Sequence, residues 1–181
     1  MQHRLLLVLA GLVGCRAPTR LATAPRAEVA PAALRVDATT HRLRLADGII
    51  SGTIPFRYTN VRRQPAAVAV CRRPLAPALE RWDGQHWIRA YEPVHLSCRG
   101  RPLLIAPGAS VDDTLHVGAG VSGTNLFPQF TVPEVPGQYR LVWWVADAAN
   151  AVGGGERNAV GALRPEAERV SNAFELQLDA P

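Results

Sequence analysis

The side chains with which this chain could do chemistry are few and far apart. Its thiols are Cys15, Cys71 and Cys98, and His86, His95 and His116 lie closest in sequence to the last of them. These four could in principle surround zinc, starting from His95-Leu96-Ser97-Cys98. Their spacing matches none of the short Cys/His patterns that hold it. Copper is no better served, because the only methionine is Met1. No metal or cofactor is therefore expected, and the plain reading is of histidines on strands or turns. Asp112 and Asp113 are neighbours on an alternating segment and point to opposite faces, so they cannot act as a paired acid and base. The chain lacks a Gly-x-Ser-x-Gly elbow, a phosphate-cradling loop, a dinucleotide fingerprint and His-Glu-x-x-His. The expectation is a protein that is not an enzyme.

Cys15 stands in a different context. One charge, Arg4, precedes an apolar run from Leu5 to Val13, which is too short to span a bilayer needing about 20 helical residues but suits an export signal of roughly 7 to 15. Leu12-Val13-Gly14-Cys15 resembles a bacterial lipobox. The resemblance implies that residues 1–14 are removed and that Cys15 carries a diacylglyceryl thioether and an acylated amino terminus. Two or more acyl chains, at about 0.8 kcal/mol per buried methylene, anchor a protein stably where one does not. The alternative is an ordinary secretory signal with a cysteine beside the cut. Arg16 after the anchor favours outer-membrane sorting by the enteric rule, so the expected address is the bacterial envelope, lipid-anchored, at the outer membrane. With Cys15 used for lipid, Cys71 and Cys98 form an even pair in an exported protein and are expected to make a disulfide. Closing the loop 71–98 would stabilise the fold by roughly 3–4 kcal/mol.

All twenty basic residues are arginine, and the formal net charge is +5. The arginines are dispersed in singles and pairs such as Arg62-Arg63 and Arg72-Arg73, which reads as a solvated surface and argues against nucleic acid. From Cys15 to Ala33 the chain is rich in Arg, Ala, Pro and Thr and cannot bury enough apolar surface to order itself. Residues 15–33 are therefore a flexible tether, reaching up to about 55 Å if extended. The rest is long enough for one domain with a real core.

Those residues must be positioned by strands. From Leu34 onward turn signals recur every eight to twelve residues, and the pieces between them alternate with period two. Ile54, Phe56 and Tyr58 share a face, as do Val111, Leu115 and Val117, then Tyr139, Leu141, Trp143 and Val145, and last Phe174, Leu176 and Leu178. Asn60 to Pro65 turns the chain, and Val68 and Val70 share a face beyond it. Asp83-Gly84 marks a hairpin tip. A three-residue loop there would set Leu79 opposite Trp87, with Trp82 in the turn; a two-residue one would set Leu79 opposite Ile88. The first buries more apolar area and is preferred.

Tyr58-Thr59-Asn60-Val61, the Leu79 to Trp87 hairpin, Ile105-Ala106-Pro107-Gly108, Pro136-Gly137-Gln138-Tyr139-Arg140-Leu141 and Ser171-Asn172-Ala173-Phe174 together resemble bacterial lipoproteins with an immunoglobulin-like β-sandwich, and more distantly the sandwich domains of bacterial proteinase inhibitors. The resemblance covers residues 34–178. It implies an all-β, immunoglobulin-like antiparallel sandwich over 34–181, with Tyr139 pinning a corner. Fold and not activity follows from it; with the envelope address and the loops below, the expected function is binding a protein or peptide partner in the envelope, as an accessory of an assembly, or alternatively inhibiting an envelope protease. Two long loops, Gly118 to Gly137 and Ala149 to Pro165, would sit at the ends of the sandwich. The first offers Phe127 and Phe130 as partner anchors, or else as a lid over the core. The second, with Gly153-Gly154-Gly155, reads as mobile. Trp144 is the remaining candidate contact, unless a sheet or loop packs over it.

Overall fold

The structure is a computed structural model that describes residues 33–95, 100–148 and 160–179. Its strands are β1 (Leu34–Arg35), β2 (Thr40–Ala46), β3 (Ile49–Thr59), β4 (Ala66–Val68), β5 (Val70–Cys71), β6 (Arg73–Pro74), β7 (Ala78–Trp82), β8 (Trp87–Tyr91), β9 (Leu103–Ile105), β10 (Ser110–Gly120), β11 (Gly137–Val142), β12 (Val145–Ala148), β13 (Val160–Leu163) and β14 (Phe174–Asp179). One helical turn, α1 (Glu166–Arg169), is the only α-helix among the described residues. The described chain is all-β. The calls on residues 1–14 and on the tether up to Pro31 and Ala32 lie outside the described residues.

Strand β2 bonds to both β3 and β14, the latter in parallel, and so joins two layers into one eight-stranded sheet, in which β10 pairs with β3 to the side of the main path. One layer is β1, β3 and β10; the other is β14, β11, β7 and β8. The long β3–β10 ladder pairs Ser110 with Thr59 at one end and Gly120 with Ile49 at the other. Its alternation puts Ile54, Phe56, Tyr58, Leu115 and Val117 inward, in one core with Leu79, Tyr139, Leu141, Phe174 and Leu176 of the opposite layer. The expected faces of these strands are therefore observed. A second sheet, ordered β13-β12-β4-β9, adds Ala66, Val68, Ile105 and Val145 to the same core.

Three local expectations need correction. The segment from Tyr139 to Val145 is not one strand: Trp143 and Trp144 form a corner, with the Val145 amide donating to the Trp143 carbonyl and the Trp143 amide to Arg169. The chain thereby leaves the large sheet after Val142 and enters the small one at Val145. Trp143 is buried at that corner, edge-on to Phe56 and Tyr58, and its indole N–H donates to the Leu75 carbonyl. In the hairpin, Asp83 Oδ1 accepts the Gln85 and His86 amides, which moves the reversal to Gly84-Gln85. Trp82 then faces Trp87, and a bulge sets Leu79 opposite Tyr91, so neither expected register holds. Finally, Val160 to Leu163, read as part of a mobile loop, pairs with β12 as a strand.

Polar groups inside this frame are met one by one. Tyr139 is buried, and its hydroxyl donates to the Val135 carbonyl at 2.7 Å. Asn172 pairs its side-chain amide with both the N–H and the carbonyl of Val36, fixing β1 to the start of β14. Arg164 is the largest polar side chain sealed in the interior. Its guanidinium donates to Asn60 Oδ1 at 2.7 Å, the Tyr58 hydroxyl at 3.2 Å, the Gln64 carbonyl at 3.0 Å and Asp147 at 3.1 Å. Asn60 is buried too and donates to the Gln64 and Ile105 carbonyls.

Two outcomes follow from these groups. Arg164→Leu removes donors from Asp147, the Tyr58 hydroxyl, the Gln64 carbonyl and Asn60 Oδ1, which keeps only the Arg62 amide, and should cost about 2–3 kcal/mol by urea denaturation; a loss below about 1 kcal/mol would mean the network is not holding the sheets. His41 lies edge-on to Phe174, and burial lowers its pKa below the ordinary 6.5. The unfolded chain then binds more protons than the folded one below that pH, so stability should be flat above about pH 6.5 and fall as pH drops below it. Denaturation midpoints from pH 7.5 to 5 check this, and His41→Gln should flatten the slope.

Candidate partner-binding tip

The far end of the β3–β10 ladder is built to hold a loop still. Asp47 and Gly48 turn β2 into β3 with φ of 50° and 73°, a left-handed pair suited to a tight hairpin. The Val121 amide donates to the Gly48 carbonyl, and the Thr124 hydroxyl and amide both return to Val121. Gly120 is clasped from both sides: its amide donates to Pro128 and its carbonyl accepts from Phe130. A Cβ at Gly120 would lie 2.5 Å from Thr124 Oγ1 and 2.7 Å from Leu126 Cβ, so only glycine lets the loop fold down onto the strand end. The Thr131 amide then reaches across to Ala90, tying β10's end to β8 and closing this end of the core.

The two phenylalanines of this loop part company. Phe130 is buried and stacks on Tyr91 with ring centroids 5.3 Å apart, so it cannot meet a partner; its place in the binding set is corrected to that of a core residue that anchors the loop base. Phe127 is 82% exposed. Leu126 beside it is also exposed, and so is Ile49, which sits opposite Gly120 in the ladder. Ile49 and Leu126 were missed from the sequence, because an exposed residue on an alternating strand carries no mark of its neighbours. The Asp47-Gly48 turn was the one signal that could have placed Ile49 at the end.

Trp144 stands at the corner, half-buried, with the Arg169 guanidinium 6.0 Å from its ring centroid. It is far from Phe127 along the ladder and is partly covered. Cys71 lies on β5, while Cys15 and Cys98 are outside the described residues. The Gly100 amide donates to the Val70 carbonyl, which brings the chain just after Cys98 alongside Cys71. His86 is in the hairpin turn and His116 on the outer face of β10. Among the described residues no three His, Cys, Asp or Glu side chains gather as a metal site. Asp112 is held by Arg57 through both oxygens, whereas Asp113 caps the Thr114 amide, so the two carboxylates do separate work. No helix among the described residues is long and apolar enough to cross a membrane. Comparison with protein-family models, with curated proteins and with solved structures finds no match.

The contrast between the two rings is measurable. Phe130→Ala should cost about 3–5 kcal/mol by denaturation, as a core truncation does. Phe127→Ser should change stability by no more than about 0.5 kcal/mol.

Proposed function

We propose that this chain is a lipid-anchored lipoprotein of the bacterial envelope whose immunoglobulin-like domain presents an apolar tip to a protein or peptide partner. The observation that carries this reading is Phe127, exposed at the crest of a loop whose base is fastened at Gly120 and Phe130. Phe127 stands with exposed Leu126 and Ile49, so the tip carries a small apolar cluster on a loop whose base is bonded in place. Such a cluster suits a partner pocket, because little conformational entropy is lost when a preformed anchor enters it.

Several features support the rest of the reading. The immunoglobulin-like sandwich stacks two antiparallel layers through Greek-key connections, so that strands distant in sequence pair. Here β3 pairs with β10, while β14, β11, β7 and β8 run side by side, and β2 joins β14 in parallel. The hydrogen bond from Tyr139 to Val135 is consistent with the corner that the resemblance implies. The approach of Gly100 to Val70 favours the Cys71–Cys98 disulfide. The lipobox at Cys15 supplies the anchor, and the tether enters the domain at Ala33, whose carbonyl accepts from the Thr59 amide. Thr59 and Ile49 are opposite ends of the 11-residue β3, so tether and tip are about 33 Å apart.

Photo-cross-linking in living cells from position 125, beside Phe127, tests the recognition role. One envelope protein should be captured, and capture should fall at least tenfold with Phe127→Ser, a change that leaves the fold intact. Capture of a single protease would favour inhibition over an accessory role. Equal capture with and without the Phe127 ring would overturn the tip as the binding element. Intact mass should show loss of residues 1–14, two or more acyl chains, and a deficit of about 2 Da from the oxidised pair.

A further inference from the structure

The opposite end of the domain has its own unexplained surface. The small sheet is apolar on both faces, although only one of them lines the core. Its other face carries the register row Leu104, Ala67, Ala146, Leu163, with no charge in it. The two alanines are buried, while Leu104 is 53% and Leu163 47% exposed, about 14 Å apart across three strand spacings. Val61, 55% exposed, belongs to the adjoining turn. These three residues each sit next to a member of one bonded trio: Asn60 donates to Ile105 and accepts from Arg164. Their backbone is therefore fixed together.

Several exposed arginines lie around this row. Arg63 is exposed in the same turn, Arg101 is exposed just before β9, and Arg72 and Arg73 are exposed on the β5–β6 turn, which the Gly100 to Val70 bond holds beside Arg101. None of the four forms an ion pair with another described residue. Two acidic residues beside the row are paired elsewhere, Asp147 with Arg164 and Glu168 with Arg62. The tether also enters here, at Ala33.

We infer that this end is a membrane-docking face, in which Val61, Leu104 and Leu163 rest on an anionic phospholipid bilayer while Arg63, Arg72, Arg73 and Arg101 meet its phosphates. Exposed aliphatic side chains flanked by arginines that form no ion pair with another described residue match the two attractions that such a surface offers. The emergence of the tether at the same end chooses a bilayer over an acidic protein as the occupant. This inference rests on the anchored reading above and gives it an orientation: the domain stands on this face with Phe127 directed away.

The test uses the full chain purified from cell membranes, its amino terminus first read by intact mass, in vesicles of phosphatidylcholine with or without phosphatidylglycerol. Amide hydrogen exchange should slow at least fivefold over residues 61–64, 101–105 and 160–163 only when phosphatidylglycerol is present. The effect should vanish in the combined Arg63→Gln, Arg72→Gln, Arg73→Gln, Arg101→Gln variant, none of whose four replaced side chains forms an ion pair with another described residue. An acylated chain with equal exchange in both vesicles overturns the face and leaves the anchor standing. If the mass shows no acyl chain, the anchored reading falls, and exchange with added vesicles still decides the face: slowing by phosphatidylglycerol supports it and no slowing overturns it. Slowing that needs an envelope protein and not the lipid assigns the face to that protein and overturns the inference.

Discussion

A guanidinium sealed from water is the constraint on which the rest of this structure leans. Desolvating Arg164 is costly unless every N–H finds an acceptor, and its four acceptors come from three separate places: Tyr58 on β3, Asn60 and Gln64 in the turn after it, and Asp147 on β12. Satisfying one arginine therefore fixes where β13 lies, where the turn folds, and how the small sheet caps the large one. Arg164 also passes the constraint on, since its carbonyl accepts from Arg169, whose own carbonyl receives the Trp143 amide. The corner that sends the chain from one sheet to the other is held by the same cluster.

The consequence is a molecule with two unlike ends joined by a stiff ladder. At one end the Arg164 cluster organises a small apolar sheet beside exposed arginines that form no ion pair with another described residue, close to Ala33, where the described chain begins. At the other, a glycine with no room for a side chain and a buried phenylalanine hold up an exposed one. The β3–β10 pairing between them is continuous over its whole length, so a load or an orientation at one end is carried to the other without a hinge. The outer face of the second layer adds little of its own: Glu80 is shared by Arg89 and Arg140, Arg140 also reaches Glu166 and lies over Trp87, and this charge ladder is closed upon itself.

Much of the scaffold was legible in the sequence because period-two alternation is a direct record of a two-sided sheet. Ile54 to Tyr58, Leu115 to Val117 and Phe174 to Leu178 fall as their alternation requires, and Pro136-Gly137 before Tyr139 announced its corner bond. What was not legible depends on partners distant in sequence. Trp143 and Trp144 look like continuous strand, since no glycine or proline marks the corner that Arg169 stabilises from outside. The hairpin register was set by a side-chain acceptor, Asp83, against the apolar-area argument. Dispersed arginines do read as surface, and for most of them that is so, but nothing near Arg164 in sequence distinguishes it from the rest. Phe127 and Phe130 share composition and context and differ only in which side of the Gly120 clasp they fall.

The central claim is that this domain has a membrane end and a recognition end, set apart by the length of β3. Energy transfer tests it most directly, from a genetically encoded fluorescent residue at position 63 or 122 to an acceptor on lipid headgroups, with the chain anchored in phosphatidylglycerol-containing vesicles. Transfer should be strong from 63 and much weaker from 122, consistent with a separation of about 33 Å along the normal. Equal transfer from the two positions, or stronger transfer from 122, would contradict the account.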